Sequence, residues 1–314
     1  MEATNQTKAE RYALVTVSTP AFLPGTAVML RSFLDHNPWF SGDVILLTDE
    51  VVPELRDSLT AIYPVQFRLI GEAILRNGER VRRAVTDRAI LPVRFFAMEL
   101  FAIEGYDRLL YLDSDVLVRA DCRPLFERRE LLVAAGDGFH YRDKVRTGPD
   151  YRPHKLRWWQ SRKNYWGGLF NAGIVSLDGA FPGPANYRAL ADMIDPKYFS
   201  HGVRRFHNQK LLNIYFKGKA TLMPADWNYR LGMADHILEK DGVRFEDAKI
   251  IHYTAKRKPW MPEQAEGRLA AGGDYQTAFQ LWHRCWQSLA PSLRTQIEQR
   301  TTAYNPTAAK PPRP

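Results

Sequence analysis

Cysteine is nearly absent. The 314 residues carry only two, Cys122 and Cys285. Two thiols cannot build a disulfide framework or a cysteine-based zinc site. Long apolar runs are missing as well, and none approaches the roughly 20 residues a membrane span needs. Residues 1–10 are polar, and the apolar run at 12–17 is too short and unflanked for a secretory leader. The expected location is therefore cytoplasmic, with peripheral contact at a membrane left open. No helix-turn-helix, RRM, KH or zinc-finger signature is present, so nucleic acid is not an expected partner. Acidic residues are the scarcer sign: 35 against 44 basic ones, a net charge of +9 and a pI near 9.5. This excess points to anionic company, either a phosphorylated small molecule or a membrane surface.

What is present reads as an ordinary globular chain, 45% hydrophobic and 25% charged, and long enough to bury a sizeable core. Short apolar runs at 12–18, 44–48, 65–70, 109–118, 131–135, 174–177 and 249–253 read as strands. Helical spacing recurs at 26–36, from Pro53 onward, and at 88–103, 187–194, 208–216 and 275–286. Residues 72–87 are charged and fit a helix or a loop. Strands alternating with helices predict an α/β architecture, a mostly parallel sheet with helices on its faces. The sheet pattern stops near residue 266. The expected division is a main domain over 1–266 and a helical extension over 267–314, ending in a proline-rich, disordered tail.

Inside the run at 109–118 stand two carboxylates, Asp113 and Asp115, separated by Ser114. Burying two ionised carboxylates is costly unless a cation meets them. In an extended strand residues i and i+2 point to the same face, so both can offer oxygens to one ion. Hard oxygen donors suit Mg²⁺ or Mn²⁺. The carboxyl ends of parallel strands are where open α/β sheets bind ligands, which makes nucleotide diphosphate chemistry the expectation.

Residues 140–166 change character. Eight arginines and lysines, among them Arg152, Arg157 and Lys163, are interleaved with Tyr151, Trp158, Trp159, Tyr165 and Trp166. A solvated surface loop is one reading. A mobile segment gripping an anionic acceptor or lipid headgroups is the other. The aromatic helix at 275–286 is open in the same way: it suits docking on a membrane or packing on the domain or a second copy.

Taken in order, four motifs make the chain resemble glycosyltransferase family 8, the glycogenin and bacterial galactosyl- and glucosyltransferase-like group. They are Asp113-Ser114-Asp115 after its strand, Phe170-Asn171-Ala172-Gly173, Asn208-Gln209 before Leu211-Leu212-Asn213, and His252 followed by Lys258-Pro259-Trp260. The resemblance spans residues 12–260. It implies a GT-A fold, a UDP-sugar donor, a Mn²⁺ cofactor with Mg²⁺ as the alternative ion, and hexosyl transfer with retention. The acceptor would be a glycan, a lipid-linked sugar or a protein. By the same resemblance Asp113, Asp115 and His252 are the metal ligands and Lys258 meets the diphosphate. Arg94 bridges donor sugar and phosphate, and Asp137 holds sugar hydroxyls. Asn171, Ala172 and Gly173 line the donor, while Thr19 and Phe22 lie where the family grips the uracil base. A histidine beside two carboxylates favours Mn²⁺ over Mg²⁺.

Two positions depart from the family pattern. Asn208 stands where an aspartate is common, and an amide cannot serve as a covalent nucleophile or a general base. Asn208 and Gln209 are thus expected to polarise and position. Ala255 replaces a glycine on the way to Lys258. Two other functions remain open at this level: a nucleotidyltransferase making a nucleotide-sugar, or a non-catalytic protein binding glycans or anions. The first normally carries a glycine-rich, basic loop after its first strand, which residues 19–25 lack.

Overall fold

Ala13, Leu14 and Val15 of β1 (Tyr12–Val17) are all fully buried, so this strand has both faces covered. In the computed structural model it lies inside a seven-stranded sheet of order β3-β2-β1-β4-β7-β6-β8. The residues described are 10–51, 53–60, 62–85, 91–142, 169–199, 207–254, 258–261 and 272–303. β2 (Asp43–Thr48), β3 (Val65–Leu69) and β4 (Arg108–Leu112) join β1 in parallel. β7 (Phe170–Asp178) runs against both β4 and β6 (Leu132–Gly136), and β8 (Ala220–Met223) is parallel to β6. The sheet is mixed and mostly parallel. A second sheet has three short strands in the order β5 (Val116–Val118), β10 (Ile250–His252), β9 (Tyr229–Arg230).

The helices are α1 (Leu23–His36), α2 (Pro53–Thr60), α3 (Glu72–Ala84), α4 (Arg123–Phe126), α5 (Gly138–Arg142) and α6 (Pro184–Asp192). They continue with α7 (His207–Tyr215), α8 (Ala234–Asp241), α9 (Gly273–Gln287) and α10 (Pro291–Ala303). Successive strand residues face opposite sides of a sheet, and the core divides accordingly. Leu14 joins an apolar layer with α1, the small sheet, and Phe279, Trp282 and Trp286 of α9. Ala13 and Val15 join the other, with Phe95, Phe101, Leu211 and Phe216. The aromatic face of α9 is thus spent on the domain. Among the described residues no helix is long and apolar enough to cross a membrane.

Three sequence expectations change. The run at 109–118 is two strands in two sheets, broken by a turn at Ser114 and Asp115. Carboxylates do not sit in a buried ladder, and the turn takes them out of it. The segment expected as a helix over 88–103 is a 3-10 helix, Pro92–Ala102, with 86–90 outside the described residues. Phe95 to Phe101 are buried without interruption, so no stripe distinguishes one helical repeat from another. Finally, β8, β9, α4, α5 and α8 were not expected, and the expected helical extension divides into α9 and α10. The boundary placed at 266 and 267, Ala255, the tail at 304–314, and the basic aromatic segment beyond residue 142 all lie outside the described residues.

Candidate metal and donor site

The two carboxylates converge through strand pairing. Asp113 follows β4, where its N–H donates to Gly173 O at 2.7 Å, and Asp115 precedes β5. Ser114 Oγ ties the turn to Val17 O at the end of β1. Gly25 of α1 permits the close approach, since a Cβ there would lie 2.4 Å from Ser114 O. β5 pairs antiparallel with β10, with Val116 opposite His252, and Tyr253 N–H donates to Asp115 O at 2.9 Å. That register delivers a histidine 137 residues further on to the carboxylate pair. His252 Nε2 lies 3.2 Å from Asp115 Oδ1 and 3.7 Å from Asp113 Oδ2.

One donor atom from each of the three residues lies within 4.8 Å of the others. Two carboxylate oxygens and one imidazole nitrogen form a donor set suited to Mn²⁺. The backbone leaves room beside it: a Cβ on Gly173 would lie 2.3 Å from His252 Cε1 and 2.6 Å from Asp113 Oδ2. The residues present fit a divalent cation.

The two carboxylates differ electrostatically. Desolvation and the neighbouring Asp115 charge push the Asp113 carboxyl up, although its side chain is 37% exposed and solvent moderates the effect. Its Oδ1 accepts from Tyr111 OH at 2.7 Å. Asp115 is only 11% exposed, and burial alone would raise it. Lys258 and His252 outweigh that burial and hold it below the usual carboxylate range. Lys258 Nζ donates to Asp115 Oδ2 and, at 2.7 Å, to Tyr253 O. This lysine is buried, so its ammonium is committed within the site.

The donor-binding candidates assemble on both sides. Thr19 precedes the short 3-10 turn Pro20–Phe22 and accepts from Phe22 N–H at 2.8 Å. Lys258 Nζ lies 5.8 Å from the Phe22 ring centroid, and Trp260 packs edge-on to Phe22 at 5.6 Å. Trp260 Nε1 also donates to Ala21 O at 3.1 Å. The first turn and the Lys-Pro-Trp segment therefore form one wall. On the other side, Gln209 Oε1 accepts from Asn171 Nδ2 at 3.0 Å and from Ala172 N–H at 3.4 Å. Its Nε2 donates to Asp137 Oδ2 at 3.2 Å. Asp137 is buried, and its Oδ1 accepts from His140 N–H at 2.9 Å, so it also caps α5. Asn208, partly exposed, is the second residue of α7. Arg94 is an exposed residue of the 3-10 helix.

Two contributors were missed in the sequence. Tyr111 lies two residues before Asp113, where it reads as a strand aromatic. Asn228, fully buried, bonds both His252 and Asn171. Its signal was faint: an amide between Trp227 and Tyr229, where a buried polar group demands partners.

A mixed, mostly parallel sheet flanked by helices is the architecture of the GT-A fold. The family model for glycosyl transferase family 8 matches residues 13–263, and the chain belongs to that family. It is 23% identical over 267 residues to glycosyltransferase GlyF of Streptococcus pneumoniae serotype 4, covering 80% of this chain and 57% of GlyF. It is 23% identical to mouse glycogenin-1 over 255 residues, covering 79% of this chain and 65% of the relative. The chain thus spans about three fifths of the length of these curated relatives. Among solved structures, the galactosyltransferase LgtC with donor and acceptor sugar analogues superposes with a TM-score of 0.64 at 18% identity. That match covers 90% of this chain and 99% of LgtC, and it establishes the GT-A fold.

Proposed function

We propose that the protein is a retaining hexosyltransferase that moves a hexose from a UDP-sugar to an acceptor hydroxyl, releasing UDP, in glycan, lipopolysaccharide or polysaccharide synthesis. The convergence of Asp113, Asp115 and His252 beside Lys258 carries this reading. The three ligands would hold Mn²⁺, which supplies Lewis-acid stabilisation of the departing diphosphate. Lys258 adds fixed positive charge on the same side, where negative charge develops in the transition state. Asp137 would hold sugar hydroxyls, and Asn171 and Gln209, linked to each other and to Asp137 by hydrogen bonds, would orient the donor. The wall of Phe22 and Trp260 suits a planar base.

No base need come from Asn208 or Gln209. Both are amides, and in the proposed step the acceptor oxygen bonds the anomeric carbon as the bond to the diphosphate breaks. The acceptor proton passes to the leaving phosphate. The test is UDP release from a panel of UDP-hexoses with Mn²⁺ and with a chelator, the product anomer being read by NMR. Metal-dependent turnover of one UDP-hexose with an α product supports the proposal. No turnover of any UDP-sugar with Mn²⁺, or an inverted product, overturns it.

A further inference from the structure

A line of side-chain amides runs from Asp137 to the metal-site histidine, and two backbone N–H groups fix its polarity. Gly173 N–H donates to Asn171 at 3.1 Å, so the atom it meets must be the amide oxygen, Oδ1. The same oxygen faces Asn228 at 3.0 Å, so Asn228 must present its NH₂ there. At the other end of Asn171, Ala172 N–H meets Gln209 Oε1, to which Asn171 Nδ2 also donates. Both backbone donors impose the same orientation. An amide that presents nitrogen on one side presents oxygen on the other. Asn228 therefore turns Oδ1 toward His252 Nδ1, 2.9 Å away. That oxygen can only accept, so Nδ1 must carry a proton. The lone pair is left on Nε2, the nitrogen facing Asp113 and Asp115.

We propose that Asn228 is a positioning residue for cation binding: through the amide line it reserves Nδ1 of His252 for the proton and Nε2 for the metal. Asn228 is fully buried and makes both bonds away from the ligand atoms, so it acts only through its neighbours. Fixing the tautomer of a ligating histidine through its other nitrogen typically changes metal affinity by about 10–100-fold. The inference rests on the metal-binding reading of the site.

The experiment has two readouts that need no turnover. Mn²⁺ is titrated by EPR, without nucleotide, into the wild type, Asn228→Leu and Asn228→Asp. Nitrogen-15 NMR then assigns the proton on His252 in the full chain loaded with Cd²⁺, a diamagnetic stand-in. Expected are a proton on Nδ1 in the wild type, a loss of about 10–100-fold in Mn²⁺ affinity for Asn228→Leu, and partial rescue by Asn228→Asp, which keeps an acceptor for Nδ1 but sets an oxygen against Asn171 Oδ1. Wild-type binding that Asn228→Leu leaves unchanged overturns this inference alone. So does a wild-type proton on Nε2, which is readable even if Asn228→Leu fails to fold. Absence of Mn²⁺ binding by the wild type overturns the metal reading, and this inference with it.

Discussion

At the residue scale, the two aspartates one position apart have different work. Asp115 is buried against Lys258 and held in its charged form, while Asp113 is open to solvent on one side and has its carboxyl pushed up. Acid should therefore protonate Asp113 first. Because its pKa is raised, Mn²⁺ affinity should fall on acidification at a pH above the usual aspartate range. Calorimetric titrations across a pH series check this, and affinity that is constant down to pH 4 would contradict it. Asp115→Asn leaves Lys258 facing a neutral amide and removes a charged ligand. Turnover should fall about 10²–10³-fold, the loss seen when a transition-state charge stabiliser is deleted, and near-normal turnover with saturating Mn²⁺ would reject the assignment. Gly173→Ala tests the space between them, since its methyl would meet His252 Cε1 at 2.3 Å. At least one ligand must shift, so Mn²⁺ affinity should drop while circular dichroism shows a retained fold.

At the scale of elements, the site depends on a strand of three residues finding another of three. β5 and β10 are too short to announce themselves, yet their register alone brings His252 to Asp115. The helical extension enters here too. Trp282 of α9 packs on Trp260 at 5.6 Å and stacks on Trp286 at 5.7 Å, and Thr301 Oγ1 of α10 lies 3.2 Å from Pro20 O, its one proton shared with Ile297 O at 2.8 Å. Both helices thereby brace the wall formed by the first turn and Trp260. Trp282→Ala should cost about 3–5 kcal/mol of stability. Under the proposed function it should also raise KM for the UDP-sugar more than it lowers kcat, as chemical melts and initial rates would show. Unchanged KM in the folded variant would separate α9 from the donor wall. These contacts also explain what the sequence could and could not tell. The strands around Leu14, Leu46 and Leu110 were legible because burial on both faces leaves unbroken apolar runs. Asp113 and Asp115 were legible because charges stand out inside such a run, whereas His252 and Lys258 were singled out only by the resemblance to family 8. The break between β4 and β5 was not, since apolar residues flank the carboxylates equally on both sides. β9 has two residues, β8 is mostly half-buried, and α10 shows little periodicity. Asn228 belongs to no spacing pattern, because its role is set by neighbours 24 and 57 residues away.

At the scale of the whole molecule, two apolar layers enclose groups that ionise only in alkali. Cys122 is fully buried between α1 and α4, and burial pushes its thiol from 9.0 to about 12. Cys285 of α9 is pushed up to about 11 for the same reason. Burial likewise raises Tyr141 and Tyr187, each of which also donates to a carboxylate, Asp241 or Glu99. In the unfolded chain these groups lose their protons at ordinary values, while in the native state they keep them. Above about pH 9 the native state therefore binds more protons than the unfolded one, and stability must fall as pH rises. Each fully mismatched group contributes at most about 1.4 kcal/mol per pH unit. For Cys122 the loss starts near pH 9 and levels off near 12. Urea midpoints should hold between pH 7 and 8.5 and then decline steeply toward pH 10.5, and Cys122→Ala should flatten the first part of that decline. The same burial makes a second measurement decisive: at pH 8 a thiol reagent should leave Cys122 of the native chain almost untouched while it reaches the half-buried Cys285, and should titrate two equivalents once urea unfolds the chain. Rapid labelling of Cys122 in the native chain would mean that the layer between α1 and α4 opens to solvent, and the alkaline decline would then have to come from the tyrosines alone.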